Sequence, residues 1–299
     1  MKLDFQPINL SMKPMVEKYR EHWDMDSSEY TFTNLLMWGT DGHILLEEYG
    51  DTLFCLLRYD QEAPFMFAPL PLNENTDYER SVHIAGEYMK NLGTEPRFSA
   101  VTGHLAELFR ARCADYELKE DRANFDYVYR TEELLTLSGK KFHAKKNHLN
   151  QFRDKYAFEY VELRPEMLEE CLEVYANWLN GKEVVEPSAL GELAAIKTII
   201  TNMDALGVRG GGIRMEGKLT AFTLGELMRP DTALIHIEKA VGSIRGLFTI
   251  INQQFIEHEW KDTLYINREE DMGLEGMRRA KMSYHPIRMV EKFEATKRV

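Results

Sequence analysis

The second half of this 299-residue chain switches repeatedly between two hydrophobic periods, and the order of the switches constrains the fold more than any other feature. Residues 166–179 and 190–203 carry apolar side chains at helical spacing, as two amphipathic helices do. Extended segments follow at 213–215, 218–227 and 232–240, separated by the turn signals Glu216-Gly217 and Arg229-Pro230-Asp231. The triple glycine at 210–212 precedes the first of them and reads as a turn, because a dinucleotide loop would lead into a helix. A glycine-bearing loop at 242–246 opens a helix at 247–260 with Leu247, Ile250, Ile251, Phe255 and Ile256 on one side. A strand at 263–266, a helix at 273–283 stopped by Pro286, and a strand at 287–294 complete the series. The order αα, βββ, α, β, α, β points to an α/β class with a mixed, α+β-type sheet.

The chain is longer than the roughly 100–200 residues of one domain, so two lobes are expected, at 1–130 and 131–299. In the first, a hairpin at 43–60 turns at Gly50-Asp51 and an extended stretch covers 64–72. A helix at 77–92, a strand at 97–101 and a helix at 103–113 follow. Hydrophobic residues at 44% and 33 aromatic side chains (15 Phe, 14 Tyr, 4 Trp) are enough for packed cores. A net charge of −12 argues against nucleic-acid or anionic-membrane binding driven by overall charge. Cys55, Cys113 and Cys171 are odd in number and far apart, which suits reduced thiols. The first ten residues lack a signal-peptide pattern and no apolar run spans a bilayer, so a cytoplasmic location is expected.

Against the acidic background, residues 138–156 reverse the sign. Lys140, Lys141, Lys145, Lys146, Arg153 and Lys155 face the single acid Asp154, while Phe142, Leu149, Phe152 and Tyr156 mark a buried stripe. Such a helix is either a solvated basic face or a phosphate-contacting one. Glu238 stands in the middle of a central strand, where a charge is costly unless paired. Strict alternation would put it with His236 on one face and Ile235, Ile237 and Lys239 on the other. It is either a general base or a carboxylate neutralised by Arg268 or Arg278. Directly after a strand, Asn267-Arg268-Glu269-Glu270-Asp271 would line either a ligand crevice or a solvated loop. Arg268, Arg278 and Lys281 suit phosphate or carboxylate contacts, with Glu275–Arg278 and Arg278–Lys281 at i, i+3 along one helix. Tyr284 would protonate a leaving oxygen or cap a buried site. No metal site is read, because the nine histidines have no ligand spacing.

Several motifs carry a family resemblance. They are Phe32-Thr33-Asn34-Leu35, Asp126-Tyr127-Val128-Tyr129, Gly139-Lys140-Lys141-Phe142-His143, Lys145-Lys146-Asn147-His148-Leu149-Asn150, Gly225-Glu226, His236-Ile237-Glu238-Lys239-Ala240, and Ile251-Asn252-Gln253. The longest is Tyr265-Ile266-Asn267-Arg268-Glu269-Glu270-Asp271-Met272-Gly273-Leu274-Glu275-Gly276-Met277-Arg278, continuing through Lys281-Met282-Ser283-Tyr284. The chain resembles proteins related to the C-terminal domain of phosphatidylglycerol lysyltransferase. That resemblance implies two tandem GNAT-like acyltransferase lobes, with strands 232–240 and 263–266 splaying apart to admit the donor. It implies an aminoacyltransferase that uses aminoacyl-tRNA and passes the aminoacyl group to a lipid head group or small acceptor. Glu238, Glu269, Asp271 and Tyr284 would then be catalytic. Lys145, Lys146, Asn147, Asn150, Glu226, His236, Lys239, Asn252, Asn267, Arg268, Glu275, Arg278 and Lys281 would bind substrate. The tRNA would be a partner and no cofactor would be needed. The loop Val241-Gly242-Ser243-Ile244-Arg245-Gly246-Leu247-Phe248 does not meet the acyl-CoA pattern, because bulky residues follow Gly246. An acyl-CoA-dependent N-acyltransferase and a catalytically silent binding protein are the alternative readings.

Overall fold

The computed structural model describes residues 3–23, 25–60, 62–181 and 189–298. Two compact units emerge, one formed by Met1–Asp126 with Val290–Val299, the other by Tyr127–Met289.

In the first unit the sheet runs in the order Gln6–Pro7, Ile44–Tyr49, Thr52–Leu57, Phe65–Phe67, Arg97–Thr102, Lys292–Lys297, Tyr116–Glu120, with Leu70–Pro71 also on Thr52–Leu57. The hairpin foreseen around Gly50 closes with Tyr49 opposite Thr52, and Gly50 takes φ 58°, a left-handed conformation that glycine adopts freely. Lys292 is 1% exposed and donates to Glu29 and Asp126, each at 2.6 Å, so its buried charge is neutralised. Cys55, Cys113 and Cys171 are all buried and free. Among the described residues no helix is long and apolar enough to cross a membrane.

The second sheet runs Arg288–Val290, Asp126–Arg130, Tyr265–Asn267, Thr232–Ala240, Lys218–Arg229, Val208–Met215, Glu159–Glu162. The helix Leu247–Phe255 continues through a π turn, Ile256–Trp260, and lays Leu247, Ile250, Ile251 and Phe255 against Ile213, Ala221, Ala233 and Ile235. Each of those four helix side chains is at most 1% exposed, and such burial stabilises by about 1.5–3 kcal/mol per large apolar side chain. Helix His143–Lys155 adds Leu149 and Phe152 to the same core. Thr232–Ala240 pairs with Tyr265–Asn267 in parallel over only three positions, Thr232–Leu234. From Ile235 onward the longer strand has no ladder partner on that side among the described residues, which opens the wedge between the two strands.

Four sequence expectations are corrected. Gly210, Gly211 and Gly212 lie inside the strand Val208–Met215 and make no turn. They are glycines because a Cβ at Gly211 would sit 2.5 Å from the Tyr160 hydroxyl, and one at Gly212 would sit 2.6 Å from Leu219. The segment 287–294 is two strands in different sheets, Arg288–Val290 and Lys292–Lys297. The strand Asp126–Arg130, read as the end of the first lobe's sequence, pairs with Tyr265–Asn267 in the second sheet, and Glu159–Glu162 adds a strand that periodicity did not mark. Strict alternation in 235–239 fails because Leu224 faces Ile237 while Gly225 faces Ile235, leaving His236 as an extra residue. This β-bulge flips the phase beyond it. Ala240 joins Ala233 and Ile235 in the core beneath Leu247–Phe255, and Glu238 reaches Asn252 of that helix. Lys239 lies on the opposite face and contacts the helices Leu168–Asn180 and Ala189–Thr201 through Trp178 and Glu192.

Candidate functional site

Where Thr232–Ala240 and Tyr265–Asn267 part, an ion pair spans the gap. Arg268, the residue after the shorter strand, donates from Nη2 to Glu238 Oε1 at 3.0 Å, and each side chain is 12% exposed. Asn252 Nδ2 donates to the other carboxylate oxygen at 3.1 Å. Two aromatic rings, Tyr129 and Tyr284, lie 5.8 and 5.0 Å from the guanidinium carbon. The Tyr284 ring is also faced by Lys145 Nζ at 4.0 Å. Six elements therefore converge: the two strands, strand Asp126–Arg130 with Tyr129, helix Leu247–Phe255, helix His143–Lys155, and the segment that follows helix Glu275–Met282. Arg268 Nη1 is buried and, among the described residues, has no hydrogen-bond acceptor. A buried donor left unmade costs about 1–3 kcal/mol, more for a charged group, which a bound anion would recover.

Burial holds the Tyr284 phenol above its usual value, although the neighbouring Arg268 pulls the other way. Its hydroxyl meets Thr249 Oγ1 at 3.4 Å. Burial also lowers the Lys145 ammonium, helped by Arg268 and opposed by Glu238, to about 8.

A second cluster clamps the bulge. His236 Nδ1 lies 2.8 Å from Glu269 and Nε2 3.1 Å from Glu226, with the imidazole fully buried. Burial alone would lower the histidine, but the hydrogen bonds to the two glutamates outweigh it and raise it to about 9. Both ring nitrogens then donate, and the group is an imidazolium at neutral pH. A third cluster organises the turn after Arg268, where Glu269, Met272 and Gly273 have φ of 55°, 52° and 73°. Asn267 Oδ1 accepts from the Glu269 backbone at 2.8 Å. Asp271 takes a bidentate contact from Arg278 at 2.8 and 2.9 Å and a hydrogen bond from the Tyr127 hydroxyl at 2.5 Å. Burial would raise its carboxyl, yet these donors hold it well below the usual carboxylate range. Lys281 donates to the carbonyls of Arg268, at 2.5 Å, and Glu270.

Of the residues expected at the site, Glu238, Asn252, Arg268, Tyr284 and Lys145 are brought together. Glu226, His236 and Glu269 form the clamp, while Asn267, Asp271, Arg278 and Lys281 shape the turn. Lys239 is held by Glu192 at 2.6 Å and lies 3.9 Å over the Trp178 ring on the other face. Lys146, Asn147 and Asn150 are exposed on their helix. Glu275 pairs at the surface with Arg279 at 3.0 Å, not with Arg278, which Asp271 has already engaged. In the 242–246 loop, Gly246 at φ 90° is explained by packing, since a Cβ there would lie 2.8 Å from the His148 carbonyl. Tyr129 and Thr249 escaped the sequence reading, because each looks like an ordinary core position in its strand or helix.

The pair of mixed sheets and the splayed strands define a tandem GNAT-like protein. A tandem GNAT protein from the clavulanic acid biosynthesis pathway superposes with TM-score 0.55 at 11% identity, over 99% of this chain and 98% of that one. The sequence matches the family described as phosphatidylglycerol lysyltransferase, C-terminal, over residues 20–296, and the chain belongs to that family. A conserved protein of unknown function from Bacteroides thetaiotaomicron VPI-5482 is 31% identical, with TM-score 0.87 and coverage of 99% of this chain and 100% of that one. L-PGS from Bacillus licheniformis superposes with TM-score 0.67 at 14% identity, over 99% of this chain and 94% of that one.

Proposed function

We propose that this protein moves an aminoacyl group from aminoacyl-tRNA to a hydroxyl or amine acceptor, either a lipid head group or a small molecule. The observation that carries the reading is Arg268 in the mouth of the wedge. It is fixed by Glu238 and retains a buried N–H with no acceptor among the described residues. Attack on an ester carbonyl develops negative charge on oxygen, and a preorganised donor in a desolvated site stabilises that charge. Family membership and the fold of L-PGS support the same chemistry. The exposed cations of helix His143–Lys155 and the turn before it would track the tRNA backbone, so binding should weaken steeply with salt. On this reading the protein works where charged tRNA is found, in the cytosol, and needs no cofactor.

The test incubates purified protein with labelled aminoacyl-tRNAs and an extract containing lipids and small metabolites. Accelerated loss of label from tRNA, abolished in Arg268→Ala, is the expected result, and the labelled product then names the acceptor. No discharge above that of the variant refutes the reading; thermal stabilisation by CoA in the same preparation would then favour an acyl-CoA donor.

A further inference from the structure

We infer that the Lys145 amine is the proton-transferring group of the wedge, taking a proton from the acceptor and handing it to the leaving oxygen, while Glu238 positions Arg268. The inference rests on the transferase reading above.

The geometry separates the two roles. Both Glu238 oxygens already accept hydrogen bonds, one from Arg268 at 3.0 Å and one from Asn252 at 3.1 Å, and taking up a substrate proton would weaken the hold on the guanidinium that the oxyanion needs. Glu269 is committed to His236, and Asp271 to Arg278 and Tyr127. Lys145 differs from all of these. Its Nζ lies 4.0 Å from the Tyr284 ring centre, a ring also faced by Arg268, and among the described residues it has neither a hydrogen bond nor an ion pair. A half-buried amine with no carboxylate holding its proton can exist in the neutral form that a base requires.

The charged and titratable groups around it agree. Arg268, from the loop after Tyr265–Asn267, and burial both favour the neutral amine; Glu238, from Thr232–Ala240, opposes them. Tyr284 presents its ring and stays protonated. His148 is one turn along the same helix and lies 3.0 Å from Arg245. The balance sets the amine near 8, where the neutral and charged forms are both well populated at cellular pH.

The step then balances. Neutral Nζ accepts the proton of the acceptor hydroxyl or amine as that atom bonds to the ester carbonyl carbon. Arg268 Nη1 donates to the developing oxyanion. When the intermediate collapses, the bond between the carbonyl carbon and the ribose oxygen breaks. The Lys145 ammonium returns its proton to that oxygen and is neutral again.

The test has two arms on the full-length chain. Trace acetic anhydride labelling over a range of pH, mapped by mass spectrometry, should give Lys145 a midpoint two pH units or more below the ordinary amine value of about 10.4. Lys145→Arg keeps the cation but cannot act as a base. Discharge of aminoacyl-tRNA should fall about 100-fold or more in kcat, with KM within threefold and the rise of kcat/KM towards pH 8 lost. Glu238→Gln, which loosens Arg268 at the oxyanion, should lower kcat with KM little changed and keep the rise of kcat/KM towards pH 8. An ordinary labelling midpoint, or a Lys145→Arg protein with wild-type rate and pH profile, overturns the Lys145 role while leaving the transferase reading intact. Wild-type protein that discharges no tRNA overturns both, whatever the labelling shows.

Discussion

The buried His236 clamp makes stability depend on pH in a direction that can be worked out. The imidazole is fully enclosed and raised to about 9 by Glu226 and Glu269. An unfolded histidine titrates near 6.5, and each pH unit of difference corresponds to about 1.4 kcal/mol. The clamp therefore contributes on the order of 3 kcal/mol. Because the folded value lies above the unfolded one, this contribution is complete below about pH 6.5 and is lost as pH rises through about 9. Lys145 acts in the opposite sense, since its folded value of about 8 lies below that of a free amine, so stability from that group grows with pH above about 8. Wild-type protein alone would blur the two effects. The cleaner quantity is the difference in unfolding free energy between wild type and His236→Gln, in which the Lys145 contribution cancels. Urea titrations of both proteins at several values between pH 6 and 9.5 should show that difference shrinking by about 3 kcal/mol across the window. A difference that stays flat with pH would refute the charged clamp and leave His236 as a neutral packing residue.

Four further outcomes follow from named positions. Glu238→Ala strands the buried Arg268 guanidinium and should cost about 3–5 kcal/mol in urea unfolding, with Glu238→Gln well below that because an amide still offers an acceptor. Gly211→Ala forces a methyl to 2.5 Å from the Tyr160 hydroxyl and 2.8 Å from Phe255, and should destabilise by about 1–3 kcal/mol. Gly242→Ala, with nothing within 4 Å of the added carbon, should leave the melting temperature nearly unchanged. Lys146→Ala, at an exposed position, should weaken tRNA binding similarly for all amino-acid identities and reduce the slope of log affinity against log salt by about one, read by filter binding.

The order of elements in the second unit was legible because each amphipathic helix and each turn signal is written locally. The Glu238–Arg268 pair was also legible, since a carboxylate in mid-strand demands a cation and Arg268 stood just beyond a neighbouring strand. What escaped depends on residues distant in sequence. Three successive glycines read as a turn until Leu163, Tyr160, Phe255 and Leu219 are seen to fill the space their side chains would need. The pairing of Glu275 with Arg278 looked right on helical spacing, but Asp271 approaches from a turn with left-handed residues and claims the guanidinium first. The exposure of Lys146, Asn147 and Asn150 and the seclusion of Lys145 differ within a single helix. The positions of Tyr284 and Arg268, each more than 120 residues away, separate them.

The bulge at His236 gives the strand a binary character. Beyond it, Glu238 faces helix Leu247–Phe255 and Lys239 faces the other way; were the same residues to run on in strict alternation, their places would be exchanged. Deleting His236 would bring Ile235 and Ile237 into consecutive register with Gly225 and Leu224, so Glu238 would keep its place beside Arg268 and the clamp with Glu226 and Glu269 alone would be lost. The electrical polarity of the cleft is thus set by the phase of the backbone as much as by the identity of its side chains.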